Sequence, residues 1–378
     1  MLLFMDGMAH YDTSRIAVKW TSVDSTYVTW SVAAEGRTGN CIKRVSTYPG
    51  NPAGFLTIVP LTNRLGPWAA TASGVCGFAL KIDDLSQLDN STVVLANTIL
   101  RIVEGPSYHV RVQLNRDGTF TLIQNIGSAE GGSGATILAH STEGLQSNAW
   151  AYVEFKWLID AAVGTFTIKV NSITVLSYTG NTRENEALFN SIGIWNAIQI
   201  LDLKSIAGPP WLILRMCDFY LADLASSVTD DVKDFLGDGT IATIKPNATG
   251  TTTAWSPVGV ATNWDAVNDA AVPDGDATYV GATTAGTKDT YNYDDIPTGS
   301  IVKGAHWVGL FRKETTGTSL VKPVVRQGGT DYLGPEQGVT STNYDRYLTQ
   351  PYDVNPATNN KFTAAEINAG EFGVQKTA

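Results

Sequence analysis

Four histidines, His10, His109, His140 and His306, are the imidazoles this chain has for acid–base or metal chemistry. None has a His, Cys or carboxylate partner at metal-ligand spacing, so each reads as a structural or surface histidine. No G-x-S-x-G elbow marks a serine nucleophile. Sugar-cleaving enzymes place two acids on one strand face around their substrate. The strongest strand pattern, Trp150 to Ile159, carries a single acid, Glu154, which shares its face with Lys156 and reads as half of a surface salt bridge. Asp83-Asp84, Asp230-Asp231 and Asp294-Asp295 read as solvated turn residues. Asp218 and Asp223 offer hard oxygens that Ca²⁺ would accept, with a hydrogen-bonded junction as the better expectation. The aromatic signal is Trp68, Trp195 and Trp211, which stand beside Gly/Pro-rich loops and are candidate glycan or protein contacts. The expectation is no catalytic residue, no cofactor and no enzyme.

Bulk properties agree with a binding or structural role. A chain of 378 residues suggests two domains. Charged residues make up 16%, below the roughly 25% of ordinary globular chains. A net charge of −10 argues against nucleic acid, whose phosphates need a basic stripe, and against an anionic membrane surface as partners. No apolar run is long enough to span a bilayer, and Met1-Leu-Leu-Phe-Met reads as a first strand. Cys41, Cys76 and Cys217 are too few for a disulfide framework and read as buried free thiols, in keeping with synthesis in a reducing cytosol.

The elements that must position these groups are strands. Period-2 patterns cover Tyr27–Val32, Gly77–Ile82, Thr98–Val103, Tyr108–Leu114, Thr119–Gln124, Trp150–Ile159, Gly164–Asn171, Thr174–Tyr178, Ser191–Trp195 and Leu212–Leu221. Asn115-Arg-Asp-Gly118 is a hairpin turn, because Asp-Gly supplies positive φ. Alternation puts Tyr108, Val110, Val112 and Leu114 on one face, with His109, Arg111 and Gln113 on the other. No amphipathic helix interrupts, so residues 1–225 predict a jelly-roll-like β-sandwich. Residues 226–234, centred on Ser226-Ser-Val-Thr-Asp-Asp-Val232, read as a linker.

Residues 235–378 predict a second, smaller β-sandwich. Its strands are Thr240–Ile244, Tyr291–Asp294, the long and mostly buried Ile301–Phe311, and Ser319–Arg326, which Pro323 demotes to an edge. Trp255 and Trp264 are expected core anchors. Thr363 and Glu366 have capping-box spacing before Gly370, which predicts one short helix.

Two resemblances emerge from these pieces. Trp150-x-Tyr-Val-Glu-Phe-Lys156, Gly164–Asn171 and Asp218-Phe-Tyr-Leu-Ala-Asp223 resemble the concanavalin A-like lectin/laminin-G sandwich. Asn171-Ser172 replaces that family's Asn-Gly and implies a looser hairpin. The whole chain resembles virion structural proteins of tailed bacteriophages. The landmarks are Asp6-Gly-Met-Ala-His-Tyr11 with Lys19-Trp20, the Asp218–Asp223 strand, Asp234-Phe-Leu-Gly-Asp238, Pro246-Asn247, Trp255-Ser-Pro257, Asn263-Trp-Asp-Ala-Val-Asn268, Pro273–Val280 and Glu366–Val374. Met216-Cys217 departs from the acidic residue usual before Asp218. The resemblance implies a non-enzymatic virion component, tail- or fibre-associated, located on the phage particle after synthesis in the bacterial cytoplasm. Its partners would be other virion proteins and copies of itself, a trimer if a fibre, with host-surface carbohydrate as a further partner. A capsid-surface decoration protein and a glycan-degrading tailspike stay open as alternatives.

Overall fold

The computed structural model describes residues 1–20, 22–23, 28–46, 56–58, 72–89, 97–104, 107–124, 135–183, 197–206, 211–224, 234–269, 272–317, 319–345 and 347–378. The chain is all-β. Two antiparallel sheets form the first half, and one main core fills the space between them. The first sheet runs in the order Ile173–Gly180, Gly164–Val170, Ala151–Leu158, Ser73–Ile82, Ile213–Asp223, Cys41–Ser46, Val28–Ala33, with Leu2–Asp6 added alongside Ile213–Asp223. The second runs Thr136–His140, Phe120–Gln124, Ser107–Leu114, Thr98–Glu104, Ala197–Asp202, Leu56–Ile58, Ser22–Val23.

The alternation of side chains explains the burial of the first sheet. Cys76, Phe78, Leu80 and Ile82 enter the main core, while Val75 and Ala79 on the opposite face join a second, smaller core with Tyr152, Cys217 and Tyr220. Both faces are therefore covered, as in a sheet whose strands are hydrophobic throughout. Asp218 sits in a β-bulge at φ 55°, where Cys217 and Tyr220 fall out of register with the strand Ser73–Ile82. The extra residue shifts the alternation, so Met216 and Phe219 both face the main core while the Asp218 carboxylate leaves it. Aspartate tolerates this left-handed conformation better than most residues.

His109 reads as structural: it is buried together with Arg111, and its Nε2 lies 2.9 Å from Glu104. Several expectations need correction. The hairpin at Asn171-Ser172 is tight, because both residues adopt positive φ (49° and 68°) and Val170 pairs directly with Ile173. Residues 240–244 form no strand; the strand begins at Pro246 and runs to Thr253. A strand outside the predicted set, Ala197–Asp202, lies inside the second sheet, whereas Ser191–Trp195 lies outside the described residues. The three thiols are free and buried.

The second half builds a third sheet in the order Pro246–Thr253, Lys288–Tyr293, Glu371–Lys376, Ser319–Gln327, Thr330–Leu333, with Gln337–Val339 also on Ser319–Gln327. Ser319–Gln327 is thus an inner strand, despite Pro323. Thr330–Leu333 pairs with Val324–Gln327 and Gln337–Val339 with Ser319–Val321, leaving a gap opposite Pro323. The Pro323 carbonyl accepts from Gly334 at 2.8 Å. A residue's N and O point the same way in a strand, so the missing N–H faces that gap and forfeits no ladder bond. The predicted helix forms at Ala364–Ala369 with its capping box complete and Gly370 at its end.

Between the third sheet and the first stands a two-stranded ribbon, Ala305–Leu310 with Tyr347–Tyr352. Val308, Leu310 and Tyr347 pack on the main core of the first half. Trp307 and Leu348 pack on a third-sheet cluster with Trp255, Val321 and Val374. Trp255 is buried as expected, and Trp264 is half-buried. The stretch Ile301–Phe311 is not mostly buried: its strand is only Ala305–Leu310, every residue of it is half-exposed, and Ile301 is 82% exposed.

Candidate functional site

The N-terminal motif makes a closed polar cluster. Asp6 Oδ2 accepts from the Tyr11 hydroxyl at 2.6 Å and from Trp20 Nε1 at 3.0 Å, and Oδ1 accepts from the Met8 amide at 2.9 Å. Burial nevertheless raises its carboxyl above the usual range. Lys19 is 5% exposed, and its Nζ lies 5.1 Å from the Phe4 ring centroid and 6.0 Å from that of Tyr347, with no hydrogen-bond partner among the described residues. Burial pulls this ammonium down to about 8.

Two imidazoles from distant parts of the chain close on Lys19. His10 lies 5.5 Å from Tyr347 ring to ring, and the Tyr347 hydroxyl donates to the His10 carbonyl at 3.2 Å. His306, on the ribbon, lies 6.1 Å from Phe4, and its Nδ1 is 3.2 Å from the Met5 carbonyl. Nε2 of each ring has no hydrogen-bond partner among the described residues. Burial, followed by the Lys19 charge, depresses both imidazoles well below their ordinary value. The Nε2 atoms have almost no exposed surface of their own, and the two rings, which border the cavity along the ribbon, can hold a joint between the N-terminal segment and the ribbon.

The predicted carboxylates are spent in a second closed cluster. Glu154 is not a surface residue paired with Lys156: it is 1% exposed. Its Oε1 accepts from the Tyr220 hydroxyl at 2.6 Å and the Gly237 amide at 2.9 Å, and burial raises its carboxyl. Lys156 instead meets Asp234 at 3.0 Å. Asp234–Asp238 lies as a strap across the outer face of the first sheet. Phe235 packs under Lys169, whose Nζ is 4.2 Å from the ring centroid. The Leu236 amide donates to the Tyr220 hydroxyl at 3.2 Å. Asp218 Oδ1 accepts from the Ile241 amide at 2.8 Å, and its Oδ2 meets Arg37 at 3.2 Å. Both oxygens are therefore used by protein, which is the junction reading; Asp223 is buried nearby, its amide donating to the Met1 carbonyl at 2.8 Å. Gly77 makes room for the strap, since a Cβ there would lie 2.5 Å from Tyr220 Cε1 and 2.9 Å from Glu154 Cγ. Among the described residues no group of three His, Cys, Asp or Glu is placed to hold a metal.

The open site lies elsewhere, in a cavity of about 1470 Å³ along the ribbon and third sheet. Trp307 and Phe311 project from one face of the ribbon with ring centroids 5.9 Å apart and planes at 32°. Gly309 lies between them: a Cβ there would stand 2.3 Å from Phe311 Cε2 and 2.9 Å from Trp307 Cη2. The two rings therefore lie down over bare backbone. At the end of this platform, Arg312 Nε donates to Asp276 Oδ1 at 2.8 Å. The Arg312 guanidinium lies 5.6 Å from the Tyr344 ring and 6.0 Å from Tyr279.

Of the aromatic candidates, Trp68 and Trp195 lie outside the described residues, and Trp211 is half-buried ahead of the strand Ile213–Asp223. Sequence reasoning did not single out the Trp307–Phe311 platform as a site. The signal was present as Trp-x-Gly-x-Phe at strand period, and was absorbed into a strand expected to be buried.

No protein-family model matches the chain, and no curated protein matches it. Solved structures similar to it include alginate lyase Aly36B, at 10% identity and a TM-score of 0.36 over 57% of this chain and 92% of that one. The receptor-binding domain of botulinum neurotoxin type G aligns at 12% identity and a TM-score of 0.30, over 90% of this chain and 94% of that one. Lectin I from Ulex europaeus, solved with the methyl glycoside of α-L-fucose, aligns at 11% identity and a TM-score of 0.31, over 53% and 90%. Likeness at this level carries no argument about what this chain binds or catalyses.

Proposed function

We propose that the chain is a non-enzymatic structural component of a phage virion, tail- or fibre-associated. The observation that supports this reading is where the landmark residues of the resemblance spend their polar groups. Asp6, Tyr11 and Trp20 bond to one another. Glu154, Tyr220 and Gly237 tie the Asp234–Asp238 segment to the first sheet. Asn263 donates to both oxygens of the buried Asp289, at 2.9 and 2.8 Å, and the Arg15 guanidinium meets the Pro273 carbonyl at 3.0 Å. Groups used this way hold parts of a molecule in register and leave nothing free for a reaction. The test is electron microscopy of intact particles carrying a tagged copy of this chain. Density for the tag on tail or fibre supports the reading; complete, infectious particles lacking the chain overturn it.

Recognition of host-surface glycan by the same component is a second reading. The open aromatic cleft along the ribbon favours it.

A further inference from the structure

We propose that the Trp307–Gly309–Phe311 platform, with the Arg312–Asp276 pair at its end, is a binding site for a neutral oligosaccharide. This rests on the glycan-recognition reading and is independent of where in a particle the chain sits. Three observations carry it. The first is shape. Trp307 and Phe311 rest on the third-sheet cluster, and the missing Cβ at Gly309 lets their rings also lie against the backbone of the ribbon. Both rings remain half-exposed and line the cavity. A flat apolar face of two rings matches the C–H face of a pyranose, and aromatic surface is where such burial is worth most.

The second observation is the polar set beside the platform. Arg312 is held by Asp276 and by the Tyr279 and Tyr344 rings. A planar guanidinium and a carboxylate fixed side by side offer donors and acceptors to vicinal hydroxyls. A few such groups among apolar walls are what orient a ligand in a preformed site. Arg312 and Asp276 largely cancel each other's charge at the end of the platform, and the chain's net charge of −10 disfavours an acidic sugar.

The third is size. The cavity, about 1470 Å³, exceeds the roughly 300–1,000 Å³ of a site for one small molecule. It suits a run of several sugar rings.

Titration calorimetry of the full chain with maltohexaose, cellohexaose, xylohexaose and mannohexaose tests the proposal, with polygalacturonate as the acidic arm. We expect at least one neutral hexasaccharide to bind, with Kd below about 10 mM. Trp307→Ala and Gly309→Ala, the second of which lifts the rings without removing them, should each weaken binding about tenfold or more. Asp276→Ala, at an exposed position, tests the polar end in a chain whose core is untouched, and a thermal melt of each variant reports folding. Binding that survives all three substitutions overturns this site while leaving glycan recognition standing. Binding of polygalacturonate alone overturns the neutral specificity. Absence of binding across the panel overturns both the site and the glycan reading.

Discussion

Tyr220 shows how a single hydroxyl can hold a junction. It donates to Glu154 Oε1 and accepts from the Leu236 amide, so the strap and the sheet share one atom. Removing it in Tyr220→Phe leaves a buried carboxylate short of a donor and a buried amide without its acceptor. Each such loss costs about 1–3 kcal/mol. We expect urea denaturation to show a fall in stability of about that size; a change under about 0.5 kcal/mol would refute the role given to this residue. This network was half-legible in the sequence. Glu154 stood out as the single acid on a strong strand, and Asp234–Asp238 as a motif. Period-2 reasoning assigns a strand face to solvent when polar residues occupy it, and cannot see that a segment some 80 residues later covers that face. Burial of Glu154 was missed for that reason.

At the scale of elements, turns were read better than edges. The Asp117-Gly118 turn forms as its residues require, with Gly118 at φ 85°. The Asn171-Ser172 turn forms just as tightly without a glycine, because two well-paired strands impose it. A serine at φ 68° bears a steric cost of about 1–2 kcal/mol. Ser172→Gly should therefore raise stability by up to about 1 kcal/mol, once the added freedom of the unfolded chain is deducted. Chemical denaturation measures this, and a loss of stability in Ser172→Gly would show that the serine side chain contributes something its exposed position does not reveal. Pro323 teaches the converse. A proline does demand a free edge, yet a gap between two short partner strands provides one within the sheet, and the demotion of its strand to a sheet edge did not hold.

The whole molecule is held together by the ribbon, which inserts His306 beside Lys19 and packs Tyr347 against His10. Both imidazoles titrate below their ordinary value, chiefly because they are buried and then because Lys19 is charged. The sign follows from proton counting. Below about 6.5 the unfolded chain binds protons at these histidines and the folded chain resists them, so stability is full above that pH and is lost as pH falls. Lys19, Asp6, Tyr11 and Tyr347 are the titratable groups that face the pair. The buried carboxyls Asp6 and Glu154, with raised values, act in the opposite direction at lower pH. Comparison with a His10→Gln/His306→Gln variant isolates the histidines: its denaturation midpoint should decline less between pH 7 and pH 5 than that of the native chain. Equal slopes would mean that the joint tolerates protonation. None of this was visible from spacing, since His10 and His306 lie far apart in the chain and meet only because the ribbon crosses back.

The strand Leu2–Asp6 is made more than two hundred residues ahead of its pairing partner, Phe219–Ala222. Its amide at Leu2 then waits longer still, for the carboxylate of Asp353. At a ribosomal pace of about 5–20 residues per second, an apolar strand stands unpaired for on the order of ten seconds or more before its strand partner is made. Order of synthesis and order of assembly therefore run against each other here. The nascent chain must close its first sheet late and around a segment made much earlier, a sequence of events that leaves an edge open to neighbouring chains in the meantime.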